Sequence, residues 1–184
     1  MIISSLPLAR LRIAQLSAHL VVAVIALVVV GGATRVMEAG LACPDWPLCY
    51  GTFFPGSQMN LQVFLEWFHR LDAFLIGIAL FTQVFLAYIW RSDLPGWVPI
   101  SSLVLVVLVS FQGVLGALTV MNLLSSGVVT AHLGLGLILV ASLSATTQAL
   151  LCNESDSAPN WWRLLSFSSS FAVITQCLIG GKMA

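Results

Sequence analysis

Two histidines of this chain, His69 and His132, fall inside long apolar segments, where ionisable side chains are costly and tend to be functional. His69 lies about eight residues into the second such segment and His132 about four residues into the fourth. At about 1.5 Å of rise per residue, both sit roughly 6–12 Å from the same membrane face. Two neutral imidazoles approaching from opposite sides suit a haem iron, which takes axial ligands above and below its ring. The plainer reading is a pair of satisfied core histidines. Zinc is disfavoured, because no further His or Cys has suitable spacing. His19 is about six residues into the first segment but counted from the opposite face, so it cannot join the pair easily.

The stretch around His69 reads Glu66-Trp67-Phe68-His69-Arg70-Leu71-Asp72. Glu66, His69 and Arg70 are spaced i, i+3, i+4 and share one helix face. Glu66 could accept a proton or steady positive charge beside a haem edge. Its structural alternative is an ion pair with Arg70. Arg35 and Arg70 are candidate haem-pocket residues, and Asp72 is a candidate hydrogen-bond partner for the His69 ring. Upstream lies Cys43-Pro44-Asp45-Trp46-Pro47-Leu48-Cys49. A Cys43–Cys49 bridge in an oxidising compartment would staple this loop. The sharper alternative is a redox-active pair, although the spacing is not the C-x-x-C of thioredoxin-like sites.

These residues need elements to hold them, and composition says which. Of 184 residues, 59% are hydrophobic and only 8% charged, against about 25% charged in soluble domains. Seven basic and seven acidic residues cancel, so no nucleic-acid footprint is present. A bilayer can absorb this apolar surface, and one spanning helix needs roughly 20 apolar residues. Five spans are expected, over about 13–33, 61–90, 98–121, 128–151 and 162–184. The fold class is therefore an all-α integral membrane protein, a four-helix transmembrane bundle plus the start of a fifth helix. The expected division is a cytoplasmic N-terminus at 1–12 and a haem-binding bundle at 13–151. A cytoplasmic loop at 152–162 and the first helix of a second, incomplete bundle at 163–184 follow. Gly31-Gly32, Gln112-Gly113-Val114-Leu115-Gly116 and Gln176-Cys177-Leu178-Ile179-Gly180 echo one another near the outer ends of spans one, three and five. Such small residues let membrane helices approach closely.

The chain resembles the haem A synthase family. The resemblance rests on Gly31-Gly32-Ala33-Thr34-Arg35, on Ala39-Gly40-Leu41-Ala42 running into the Cys43 to Cys49 loop, and on Glu66-Trp67-Phe68-His69-Arg70. It also rests on Gln112-Gly113-Val114-Leu115-Gly116 and Thr130-Ala131-His132-Leu133. The outer loop is most similar to the cyanobacterial branch. The resemblance implies oxidation of the haem O ring methyl to the formyl group of haem A, for cytochrome oxidase. It implies a duplicated eight-helix architecture of which this chain is the N-terminal part, with the second half holding a haem b. His69 and His132 would be the axial pair, Glu66 the catalytic carboxylate, and Cys43–Cys49 the outer disulfide. Implied partners are haem O, membrane lipid, haem O synthase and a second copy of the chain. The implied location is the bacterial plasma membrane. The chain stops inside its fifth span, which reads as an incomplete copy of the second bundle.

Two other classes compete: a non-catalytic b-type electron-transfer module and a quinone-linked membrane thiol oxidoreductase. For orientation, Arg10, Arg12, Arg91 and Arg163 gather on one face, while Arg35 and Lys182 lie at the other. Positive residues favour the cytoplasm, so the N-terminus is predicted inside and the 35–60 loop outside. Reporter fusions after Ser57 and Asp93 test this. Cytoplasmic signal at Asp93 and external signal at Ser57 are expected; the reverse would invert the topology.

Overall fold

The computed structural model describes residues 7–152 and, beyond them, residues 164, 168, 170, 171, 174–176, 179 and 180. Most of the fifth span expected at 162–184, with Cys177 and Lys182, lies outside the described residues, as does Arg163. Four long helices carry the described fold: α1 Leu8–Val36, α2 Leu61–Ile89, α3 Trp97–Met121 and α4 Ser126–Leu151. Each is long and apolar enough to cross a membrane. Among the described residues there is no strand, only an isolated bridge between Cys49 and Thr52.

Each helix begins and ends for a local reason. Pro7 precedes α1, and Arg10 explains why that helix starts earlier than its apolar stretch. Arg10 Nε donates to the Leu150 carbonyl at 2.8 Å and Nη2 to those of Ala149 and Cys152 at 3.3 and 3.1 Å. These carbonyls end α4, where intrahelical donors run out and positive charge is favoured. The Asn60 side chain accepts from Val63 N at 2.9 Å and so caps α2. Pro99 falls in the first turn of α3, where its missing N–H costs nothing. Inside the helices Thr82, Ser101, Ser110, Thr146 and Thr147 donate their hydroxyls to carbonyls one turn back. With no water in a bilayer core, that satisfies them internally.

The helices pack as a ring in which α1 touches α2 and α4, and α3 touches α2 and α4. Thus α2 and α4 face each other across the axis. The interior is layered. Leu20, Val24, Ile76, Leu80, Leu105, Val106, Leu139 and Leu143 fill the middle. Ile13, Ala14, Ala87, Leu94, Val98 and Leu150 close the N-terminal end. Outward faces carry exposed Val22, Val29, Phe74, Phe85 and Ile100, a surface that suits lipid rather than water. The protein is a multi-pass membrane protein.

The α3–α4 turn places two consecutive leucines in the left-handed region, Leu123 at φ 48° and Leu124 at φ 58°. Leu124 packs onto Gly40, where an added Cβ would lie 3.2 Å from its Cδ2. Leu123 is 77% exposed. Left-handed backbone costs a non-glycine residue roughly 1–2 kcal/mol, and Leu123 has little packing to offset it. Leu123→Gly is therefore expected to stabilise the protein by about 0.5–1 kcal/mol once glycine's own entropy is subtracted. Leu124→Gly is expected to destabilise it, because the contact with Gly40 goes. Thermal unfolding in detergent checks both; equal effects would sink this account of the turn.

Candidate functional site at the disulfide end of the bundle

His69 on α2 and His132 on α4 come from the two helices that face each other across the bundle axis, and their side chains lie within electrostatic reach of one another. Each ring is seated on a glycine of the preceding helix. A Cβ on Gly31 of α1 would lie 2.9 Å from His69 Cε1, and one on Gly116 of α3 would lie 3.3 Å from His132 Cε1. Sequence reasoning assigned these glycines to helix approach; the room they make is for imidazoles. Nδ1 of both histidines is buried without a hydrogen-bond partner. Two orphaned imidazole nitrogens from opposite walls fit a flat, axially ligated ring. Among the described residues no cluster of three or more His, Cys, Asp or Glu could hold a metal ion.

Gln112, quoted above only as part of a motif, has a specific task. Its Nε2 donates to the His132 carbonyl at 2.9 Å. Gly136 leaves space for it, since a Cβ there would lie 3.1 Å from Gln112 Nε2. Asp72 makes no hydrogen bond to His69. Three residues are about 300° of helical turn, which leaves Asp72 on the flank of the His69 face. His19 is exposed, with Nδ1 2.7 Å from the Gln15 carbonyl, well away from the pair. Arg35 lies in the last turn of α1, one turn beyond Gly31, half-buried, and its side chain has no hydrogen bond or ion pair among the described residues.

Glu66 and Arg70 form the ion pair that helical spacing allows, and the pair does more than anchor α2. Glu66 is 4% exposed. Its Oε2 accepts from the Cys43 amide at 2.7 Å, and its Oε1 accepts from Arg70. The Arg70 guanidinium also donates to the carbonyls of Asp45 at 2.5 Å, Leu48 at 2.6 Å and Cys43 at 3.3 Å. Arg70 thus points into the Cys43–Cys49 loop. Cys43 and Cys49 are joined by a disulfide and are 0% and 1% exposed, packed with Val63, Met59 and Trp67. Burial favours the staple over an exchanging redox pair. Asp45 completes the loop, its carboxylate accepting from Tyr50 N at 2.6 Å and Gly51 N at 2.8 Å. Trp67 Nε1 donates to Phe53 O at 2.5 Å.

Removing Arg70 leaves Glu66 a buried, uncompensated charge and frees three loop carbonyls. Arg70→Ala is expected to cost about 3–5 kcal/mol, as for other broken buried pairs. It should also speed reduction of Cys43–Cys49 by a mild thiol. Arg70→Lys should rescue neither fully, because one ammonium cannot reproduce the fork. Denaturation and timed thiol labelling check this; unchanged reduction in Arg70→Ala would remove the clamp.

The family described as cytochrome oxidase assembly protein, COX15-CtaA, matches residues 14–184. The chain is 33% identical over 174 residues to a heme A synthase of Shewanella oneidensis, covering 84% of this chain and 52% of that protein. It is 34% identical over 125 residues to a heme A synthase of Bacillus pumilus, covering 65% and 39%. A protoheme IX farnesyltransferase of Halobacterium salinarum is 34% identical over 137 residues, covering 74% of this chain and 30% of that protein. The chain thus spans about half, or less, of the length of these relatives. No solved structure gives a significant match.

Proposed function

Because the chain belongs to the COX15-CtaA family of cytochrome oxidase assembly proteins, we propose that it forms one haem-binding bundle of a haem A synthase, with haem O as substrate. The ring methyl of haem O would be oxidised to the formyl group of haem A. The observation that carries this reading is the pair of glycine-seated imidazoles on facing helices, each with an orphaned Nδ1. His69 and His132 would hold the haem iron, which would supply the redox chemistry when bound. Gln112 would fix the backbone beneath His132 through the 2.9 Å bond to its carbonyl. Arg35, a half-buried cation whose side chain has no partner among the described residues, would meet a haem carboxylate.

Glu66 is assigned the carboxylate role, one helical turn from His69. Both its oxygens already accept hydrogen bonds. A proton-accepting step therefore requires the Cys43 amide or Arg70 to let go. That same engagement favours one second reading, a haem-binding electron-transfer bundle in which Glu66 serves only the loop. The Cys43–Cys49 disulfide is buried, so the cysteine pair on which the thiol-oxidoreductase reading rests has no accessible sulfur.

The duplicated architecture would place haem b in a second bundle, supplied by a second half or a second copy. Haem O synthase is proposed as a working partner, supported by the match to a relative named for farnesylation of protohaem IX. Orientation in the bacterial plasma membrane is proposed with the N-terminus cytoplasmic, since Arg10, Arg12 and Arg91 gather at that end.

Substitution separates the readings. His69→Ala and His132→Ala are each expected to abolish the low-spin haem spectrum, and His19→Ala to leave it unchanged. Glu66→Gln is expected to retain haem while haem A formation, read by mass spectrometry of extracted porphyrin in a complete assembly, falls by 10²-fold or about that. Full haem A formation by Glu66→Gln would favour the electron-transfer reading. An unchanged spectrum in His69→Ala would remove the haem assignment itself.

A further inference from the structure

Between the two apolar layers of the bundle lies a polar one. Ser17 sits three residues after Ala14 and three before Leu20. Gln83 sits three after Leu80 and four before Ala87, and Ser102 four after Val98 and three before Leu105. Thr146 and Thr147 fall between Leu143 and Leu150. All four helices thus contribute a polar side chain at one depth, far from His69 and His132. Ser17 and Gln83 are 0% exposed and Ser102 is 1% exposed.

The layer is only partly satisfied. Ser17 Oγ donates to Gln83 Oε1 at 3.1 Å, which ties α1 to α2. Gln83 Nε2 and Ser102 Oγ, on the adjacent helices α2 and α3, have no partner. Ser102 stands out against Ser101 and Ser110 on its own helix, which donate to carbonyls one turn back. A buried amide and hydroxyl left unpaired cost about 1–3 kcal/mol each. The layer holds no charged side chain, so it offers nothing to an ion. Its unpaired amide and hydroxyl suit a small neutral molecule that accepts from the one and exchanges a hydrogen bond with the other.

We propose that this layer is a binding site for one ordered internal water, held between Gln83 Nε2 and Ser102 Oγ and sealed by the leucine-rich layer on one side and Ala87, Val98 and Leu150 on the other. Buried waters make about three hydrogen bonds to such groups. The Thr146 and Thr147 hydroxyls, which donate along α4, keep lone pairs for a third. The water extends the Ser17–Gln83 bond to α3 and locks the register of the helices at that depth.

A double-mutant cycle on the detergent-solubilised chain tests this, with a high-resolution map of the unmodified protein beside it. Ser102→Ala strands the water and Gln83, and is expected to lower the unfolding midpoint by about 2–4 °C. Gln83→Leu should lower it further, because Ser17 also loses its acceptor, and adding Ser102→Ala to Gln83→Leu should cost less than Ser102→Ala alone, since no amide is then left waiting for the water. Ser101→Ala, whose hydroxyl is already bonded along α3, is the control and should change little. The map should show a density peak within about 3.2 Å of both atoms. A midpoint raised by Ser102→Ala, strictly additive effects, or a direct Gln83–Ser102 contact with no peak would each overturn the proposal.

Discussion

The disulfide end of this bundle depends on one guanidinium. Arg70 leaves α2 at the membrane boundary and gathers three carbonyls of the loop and one carboxylate of its own helix. A single cation thereby satisfies groups that apolar surroundings would otherwise leave unpaired. Glu66 returns the charge and takes the Cys43 amide. The loop, the disulfide and the first turns of α2 are thereby tied together, with His69 on the same helical face.

At the opposite end Arg10 plays a comparable part, donating to three carbonyls at the end of α4. Both arginines turn a membrane-end problem, unpaired carbonyls, into a tie between segments remote in sequence. Between them leucine and valine layers, interrupted by the polar layer of Ser17, Gln83 and Ser102, set helix spacing. The imidazoles fit because glycine was left where each ring lies.

Much of this was legible in residue types. Ionisable side chains are so rare in membrane spans that His69, His132 and Glu66 stood out by themselves, and the spacing of Glu66 and Arg70 announced their pairing. The Cys43–Cys49 bridge was likewise visible as two cysteines flanking two prolines. Other features depended on distances that no local pattern encodes. Arg10 bonds a carbonyl 140 positions away. Gln112 acts on His132 from another helix. Gly31 and Gly116 have the same composition whether they admit a helix or a ring, and only the packing decides. Ser17, Gln83 and Ser102 look like ordinary scattered polar residues until the helices bring them to one depth.

The two imidazole seats are alike, yet their surroundings are not. Each histidine follows a glycine-bearing helix, as though one helical hairpin had been used twice. The position three before His69 is Glu66, but three before His132 it is Val129; the residue after His69 is Arg70, and after His132 it is Leu133. The long clamped loop joins only the first hairpin, and the second has the short turn through Leu123 and Leu124. A macrocycle gripped evenly from above and below would therefore still find one charged wall and one greasy wall. If both histidines hold such a ligand, they would fix its plane, and the lopsided rim would set its rotation within that plane. Regiochemistry, the selection of one edge methyl among several, would then be set by the hairpin that kept its charges.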